Sequence, residues 1–167
     1  RRISKERDWN SKLDEIVKNA KSWDIGIVCG VPAWIQILFE KIIDHYKVNT
    51  IHDIWPNLLI YVHGGVSFGP YKNGFEKLLA KPLIYMETYL ASEGFVAYQH
   101  RPEASGMKLV VDNGIFYEFI PFTEKNFDED GNMLPVPETL TLKEAQENTE
   151  YDLLLSTCAG AWRYLIG

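Results

Sequence analysis

Tyr85-Met86-Glu87-Thr88-Tyr89-Leu90-Ala91-Ser92-Glu93-Gly94-Phe95 decides how the rest of the chain is read. Leu83 to Ala91 has the apolar texture of a strand, and it delivers a hydroxyl and a carboxylate side by side where Gly94 lets the chain turn. A serine hydroxyl can hydrogen-bond a phosphate oxygen. A glutamate beside it can hold a hard cation such as Mg²⁺, which prefers oxygen ligands. Alone, Ser92-Glu93 reads more readily as surface residues at a strand end, so a functional meaning depends on its neighbours.

Upstream, the texture alternates. Trp9, Leu13, Ile16, Val17 and Ala20 lie at helical spacing between Asp8 and Ser22. Asp24 to Cys29 reads as a short buried strand closed by Gly30. Val31 opens a helix with Pro32 near its first turn, where a missing N–H costs little; Ile35, Leu38, Phe39, Ile42, Ile43 and Tyr46 form its apolar stripe. Leu58 to Val62 is a second buried strand, ended by His63-Gly64-Gly65. Pro70 to Ala80 is a third helix, stopped by Lys81-Pro82. Strand, helix, strand, helix, strand predicts parallel strands with helical crossovers. Ligands of such sheets sit at the carboxyl ends of the strands. Gly30, Gly64-Gly65 and Ser92-Glu93-Gly94 are those ends, so the three turns are expected to meet in one place.

Downstream of Gly94 the pattern shortens. Phe95 to Gln99, Met107 to Val111 and Ile115 to Ile120 read as strands, with Asp112-Asn113-Gly114 as a hairpin turn between the last two. Pro121 to Pro137, acidic at Glu124, Asp128, Glu129 and Asp130, reads as a solvated, mobile connection that buries little. Thr141 with Glu144 forms a capping-box pattern for a short helix over 141–146. Tyr151 to Thr157 and Ala161 to Ile166 read as a hairpin across Ala159-Gly160. The fold expected is α/β in one domain: a mostly parallel βαβαβ part over 1–93 with flanking helices, then a β-rich part of short antiparallel strands over 94–167.

The 167 residues suffice for one domain with a core, and 46% hydrophobic with 24% charged residues is the balance of a soluble globular protein. A net charge of −6 argues against a nucleic-acid partner, which calls for a basic face. The densest basic group is Arg1, Arg2, Lys5 and Arg7. No apolar run approaches the roughly 20 residues needed to span a bilayer, and no apolar segment follows the leading arginines as in a secretory signal. Cys29 and Cys158 lie in apolar strand-like stretches and are expected to act as small hydrophobes in a reduced, cytoplasmic setting, with no metal-ligand spacing.

Several separated stretches together resemble the Gretchen Hagen acyl-acid amido synthetases, first known as auxin-responsive plant proteins and present also in bacteria. These are Ile54-Trp55-Pro56-Asn57, His63-Gly64-Gly65, Tyr89-Leu90-Ala91-Ser92-Glu93-Gly94 and Gly114-Ile115-Phe116-Tyr117-Glu118-Phe119-Ile120-Pro121. Glu150 to Thr157, running into Ala159-Gly160-Ala161-Trp162-Arg163-Tyr164, completes the set. The family belongs to the adenylate-forming superfamily of luciferase and the acyl-CoA synthetases. The resemblance implies an internal piece of the large N-terminal domain of a ligase, of bacterial type, that uses ATP and Mg²⁺. Such an enzyme joins a small carboxylic acid to an amino acid through an acyl-adenylate. Carried over by position, Ser92 and Glu93 become the candidate catalytic residues, Ser92 on the α-phosphate and Glu93 on Mg²⁺. Tyr89, Gly64 and Gly65 would shape the nucleotide site, and Val31, Trp34 and Phe95 would line the acid pocket. The family's Tyr-Arg-x-Gly-Asp motif is matched by Tyr164-Leu165-Ile166-Gly167, with leucine for arginine and without the aspartate. The Ser/Thr/Gly-rich phosphate loop and the small C-terminal domain are also missing from these residues, so this stretch alone is expected to be inactive.

Other readings stay open. An acyl-CoA ligase of the phenylacetate type shares the activation step, and a non-catalytic scaffold could keep the fold without turnover. His63 on a strand end is read as a structural donor; His45, His52 and His100 are read as surface or packing residues. Glu118 alternates with Tyr117 and Phe119 and is expected in solvent or in a salt bridge. Trp9, Trp23, Trp34 and Trp55 are expected in the core or at its rim.

Overall fold

The computed structural model describes residues 8–166, so the basic group Arg1, Arg2, Lys5 and Arg7, and Gly167, lie outside the described residues. The chain divides into two compact units. The first runs up to Leu90 and includes Val96–Leu109; the second comprises Ala91–Phe95 and the residues from Val110 on.

In the first unit, α1 (Trp9–Asn19) starts where the Asp8 carboxylate accepts the Ser11 N–H at 2.7 Å, which satisfies an otherwise unpaired helix-start donor. A 3-10 turn over Ala20–Ser22 follows. Then come β1 (Ile27–Cys29), α2 (Pro32–Tyr46), β2 (Ile60–Gly64), α3 (Gly69–Glu76) and β3 (Ile84–Ala91). β1 pairs with β2 and β2 with β3, both parallel, as the alternation predicts. β4 (Gly94–Tyr98) and β5 (Lys108–Leu109) complete a five-stranded sheet in the order β1-β2-β3-β4-β5, β4 and β5 being antiparallel. Because the parallel strands are neighbours in chain order, crossovers of one hand put α2 and α3 on the same face. Phe39, Ile42, Trp55, Tyr61 and Phe75 form the core there.

The opposite face of the sheet is open where the apolar run predicts burial. β1 is not buried: Ile27 is 59% exposed, Cys29 is exposed, and Leu90 on β3 is 64% exposed. Among the described residues these positions are open to solvent. Cys158 is exposed as well, so neither cysteine is the buried small hydrophobe its apolar neighbours suggest. β2 also runs two residues further than expected, taking His63 and Gly64 into the strand. Trp55 is buried and donates its indole N–H to the Ala20 carbonyl at 2.8 Å.

In the second unit, β6 (Ile115–Pro121), β7 (Tyr151–Thr157) and β8 (Tyr164–Ile166) form an antiparallel sheet with β7 in the middle. The β7–β8 hairpin is as expected. Asp112-Asn113-Gly114 is not a hairpin: β5 pairs with β4 and β6 with β7, so the turn carries the chain from one sheet to another. Residues 141–146 form no helix, although Glu144 accepts both the N–H and the hydroxyl of Thr141, at 2.8 and 2.7 Å. One box stabilises one turn, and too few helix-forming residues follow to offset nucleation. The connection after β6 is more ordered than its composition suggests. Asn126 is 1% exposed; its side chain donates to the Pro121 carbonyl and accepts the Glu138 N–H, at 2.9 and 2.8 Å. Phe127 is buried beside Ile120 and Leu154, while the acidic residues stay exposed.

His52 packs inside the first unit and its tautomer is defined. Nδ1 accepts the Ala80 N–H at 3.1 Å, so the proton sits on Nε2, which donates to the Leu58 carbonyl at 3.1 Å. Burial holds both His52 and His63 below the usual histidine value of 6.5. A depressed folded value means the neutral ring's contribution is full above 6.5 and is lost as pH falls through the folded value. Urea unfolding is therefore expected to show stability falling as pH drops from 7 toward 5. His52→Leu should remove part of that slope, cost roughly 1–3 kcal/mol at pH 7 by orphaning two backbone groups, and leave the remaining slope to His63.

Candidate functional site

Two of the three glycine turns meet. Gly30 and Val31 after β1, and Val62, His63, Gly64 and Gly65 at the end of β2, line a cleft with Cys29 and the β3 residues Thr88 and Leu90. The cleft lies at the carboxyl ends of the parallel strands, the usual ligand position in such sheets. Its volume is about 160 Å³, below the roughly 300–1,000 Å³ of sites that enclose a drug-sized ligand.

The rim is tied to the core by hydrogen bonds. The Tyr61 hydroxyl donates to the Gly30 carbonyl at 2.9 Å, and the Gly30 N–H donates to Val62 at 3.1 Å. The Thr88 hydroxyl donates to the His63 carbonyl at 3.1 Å. Burial pushes the Tyr61 phenol upward, so it remains a donor. Gly65 has φ +81°, a conformation that glycine adopts without strain. At Gly64 a Cβ would strike the Thr88 carbonyl oxygen. The two strands approach closely here only because the residue has no side chain.

His63 contributes main chain to this wall, while strand alternation sends its ring to the helix side. There it stacks on Phe68 at 4.7 Å and lies 5.5 Å from Tyr61. Among the described residues its Nδ1 has no hydrogen-bond partner. Burial lowers its proton affinity, and the Glu87 carboxylate partly restores it.

Ser92 and Glu93 are the two residues of the tight turn joining β3 to β4, and they belong to the second unit. Ser92 is exposed and Glu93 half-buried. The turn is seated on the start of β6: a Cβ at Gly94 would strike the Ile115 side chain, and the Asn113 side chain donates to the Phe95 carbonyl at 2.8 Å. Phe95 is 40% exposed. Tyr89 is half-buried on β3. Trp34 stands outside the cleft lining, 48% exposed and edge-on to Trp9 at 4.6 Å. Among the described residues no group of three or more His, Cys, Asp or Glu is placed to hold a metal ion. No helix among them is long and apolar enough to cross a membrane.

Glu118 makes the expected salt bridge, with Arg163 Nε at 3.1 Å, and accepts the Thr139 hydroxyl at 3.0 Å. Sequence reading passed over Thr88, Leu90, Cys29 and Val62 as cleft residues. Only the parallel register, which sets Gly64 opposite Thr88, brings them to the same rim. Gly64→Ala is expected to cost roughly 1–3 kcal/mol in urea unfolding, the range for forced close packing. Gly65→Ala should cost about 1–2 kcal/mol for its left-handed backbone alone.

Residues 108–167 match the model of the GH3 (Gretchen Hagen) family central domain. No curated protein matches the chain. Among solved structures it is similar to a GH3.15 acyl acid amido synthetase, with TM-score 0.67 and 10% identity over 99% of this chain and 37% of that one. It is also similar to a 2-hydroxyisobutyryl-CoA ligase in complex with 2-HIB-AMP and CoA, with TM-score 0.51 and 14% identity over 96% of this chain and 36% of that one. The chain thus spans little more than a third of the length of either structure, and at these identities the likeness is one of fold. The last third of the chain thus matches the GH3 family central domain, and nearly the whole chain shares its fold with the GH3.15 acyl acid amido synthetase.

Proposed function

We propose that the protein carrying this chain is an ATP-dependent ligase that activates a small carboxylic acid as an acyl-adenylate and passes the acyl group to an amino acid. The observation that carries the reading is the cleft of bare backbone at Gly30 and Gly64-Gly65, at the carboxyl ends of β1 and β2, in a chain with a GH3 central-domain match. In the first step a carboxylate oxygen attacks the α-phosphorus of ATP and the bond to pyrophosphate breaks. In the second, the amine attacks the acyl carbonyl, AMP leaves and the amine gives up a proton. Such chemistry depends on positioning and charge stabilisation more than on a side-chain nucleophile.

The residues present fit these ligands. Gly64 and Gly65 line the cleft, and with Tyr89 they would shape the site of a flat ring. The Ser92 hydroxyl, exposed on its turn, would donate to the α-phosphate. Magnesium commonly binds through one or two carboxylates plus substrate phosphates, which suits a lone Glu93 without a preformed metal cluster among the described residues. When bound it supplies charge stabilisation at the phosphorus. Val31, Trp34 and Phe95 are assigned to the acid. Two exposed free thiols suit a reducing, cytoplasmic setting.

The second reading is an acyl-CoA ligase, favoured by the shared fold of the 2-hydroxyisobutyryl-CoA ligase. Exchange of labelled pyrophosphate into ATP tests the common first step in the full-length protein. Glu93→Gln is expected to lower exchange about 10²–10³-fold, the scale for losing one charge-stabilising group, without unfolding the protein. A full rate in that variant would remove Glu93 from the mechanism. Product analysis with amino acids against coenzyme A then separates the two acceptors.

A further inference from the structure

Arg163 has a positive φ, +48°, which is unusual for a residue other than glycine. Such a conformation persists where surrounding contacts over-determine it, and it clusters at ligand-binding positions. Three hydrogen bonds determine it here. The Arg163 N–H donates to Ser156 Oγ at 3.0 Å, its Nε donates to Glu118 Oε2 at 3.1 Å, and the Thr157 N–H closes the turn on the Ala161 carbonyl at 2.7 Å. Glu118 is itself fixed, 15% exposed at its side chain and bonded to Thr139.

The carboxylate therefore grips the guanidinium from behind. Nε is occupied, while the two Nη groups make no hydrogen bond among the described residues and the side chain is 54% exposed. A planar fork held at one edge and open at the other matches phosphate oxygens in a bidentate contact. Its chain neighbours Trp162 and Tyr164 are 79% and 50% exposed, offering aromatic surface for a flat ring attached to such a phosphate. Position agrees. Ile115 pairs with Thr157 and Phe116 with Ser156, and Gly94 sits against Ile115. The turn with Ser92 and Glu93 and the turn with Arg163 thus belong to the same end of the three-stranded sheet.

We propose that Arg163 is a phosphate-binding residue, with Glu118 as the positioning residue that holds its guanidinium. That the phosphate belongs to a nucleotide rests on the ligase reading above. The test is calorimetric titration of the full-length protein with Mg·ATP, AMP and pyrophosphate, beside pyrophosphate exchange. Arg163→Gly deletes the guanidinium while relieving the positive φ. It should weaken at least one ligand about 10- to 100-fold, the worth of a charged hydrogen bond, with a thermal midpoint unchanged or higher. Arg163→Lys should fall between. Glu118→Ala should weaken the same ligand, and Glu118→Gln, which keeps an acceptor for Nε, should weaken it less. A loss with AMP assigns the α-phosphate; a loss with pyrophosphate alone assigns the leaving group. Unchanged affinity for all three in Arg163→Gly overturns the inference and leaves the ligase reading standing if exchange persists. A wild-type protein that binds none of the three overturns both. Binding through Arg163 without exchange for any acid overturns the ligase reading alone.

Discussion

The Tyr61 side chain joins the core of the first unit to the rim of its cleft, and much of that unit depends on it. Its ring lies parallel to Phe75 at 4.8 Å and edge-on to Phe68 and Tyr85, so it is clamped between α3 and the sheet. Its hydroxyl emerges under the Gly30 turn and donates to that carbonyl. A large aromatic carries apolar area and a polar tip in one rigid body. Burial of the ring therefore sets the position of a backbone loop that has few other constraints. Core packing and cleft geometry become one problem.

The second unit reaches order by a different route. Its core is small, Ile120, Phe127 and Leu154, and polar groups do the positioning. Asn126 supplies side-chain bonds to Pro121 and Glu138, while its main chain accepts the Leu134 N–H at 2.8 Å. A buried amide must satisfy its donors and acceptors, and doing so folds a long acidic connection onto the sheet. Glu118 plays the comparable part for Arg163. In both places one polar side chain, buried at Asn126 and half-buried at Glu118, fixes a stretch that apolar burial alone would leave undetermined.

The helices and parallel strands were legible because each rests on local periodicity. α2 announces itself through Pro32 and the stripe at Ile35, Phe39 and Ile42, all buried as the spacing requires. The candidate site was half legible. Gly30 and Gly64-Gly65 could be named because glycine at a strand end signals close backbone approach, and they line one cleft. Thr88 and Leu90 could not, since their place follows from register across β2 and β3. The hairpin expected at Asp112-Asn113-Gly114 failed for the same reason: turn residues show that a chain bends, and partner choice is settled by the strands it bends toward.

By itself the sequence determined the order of elements, the parallel core pairing, the residues at the turns and the family signature, because these are written in spacings of a few residues. Tertiary structure alone decided which sheet face is covered, which strand each later segment joins, that Asn126 is buried, and that Glu118 holds Arg163 across 45 positions. Those outcomes depend on contacts between segments far apart in the chain. A linear pattern carries no record of the distance between them.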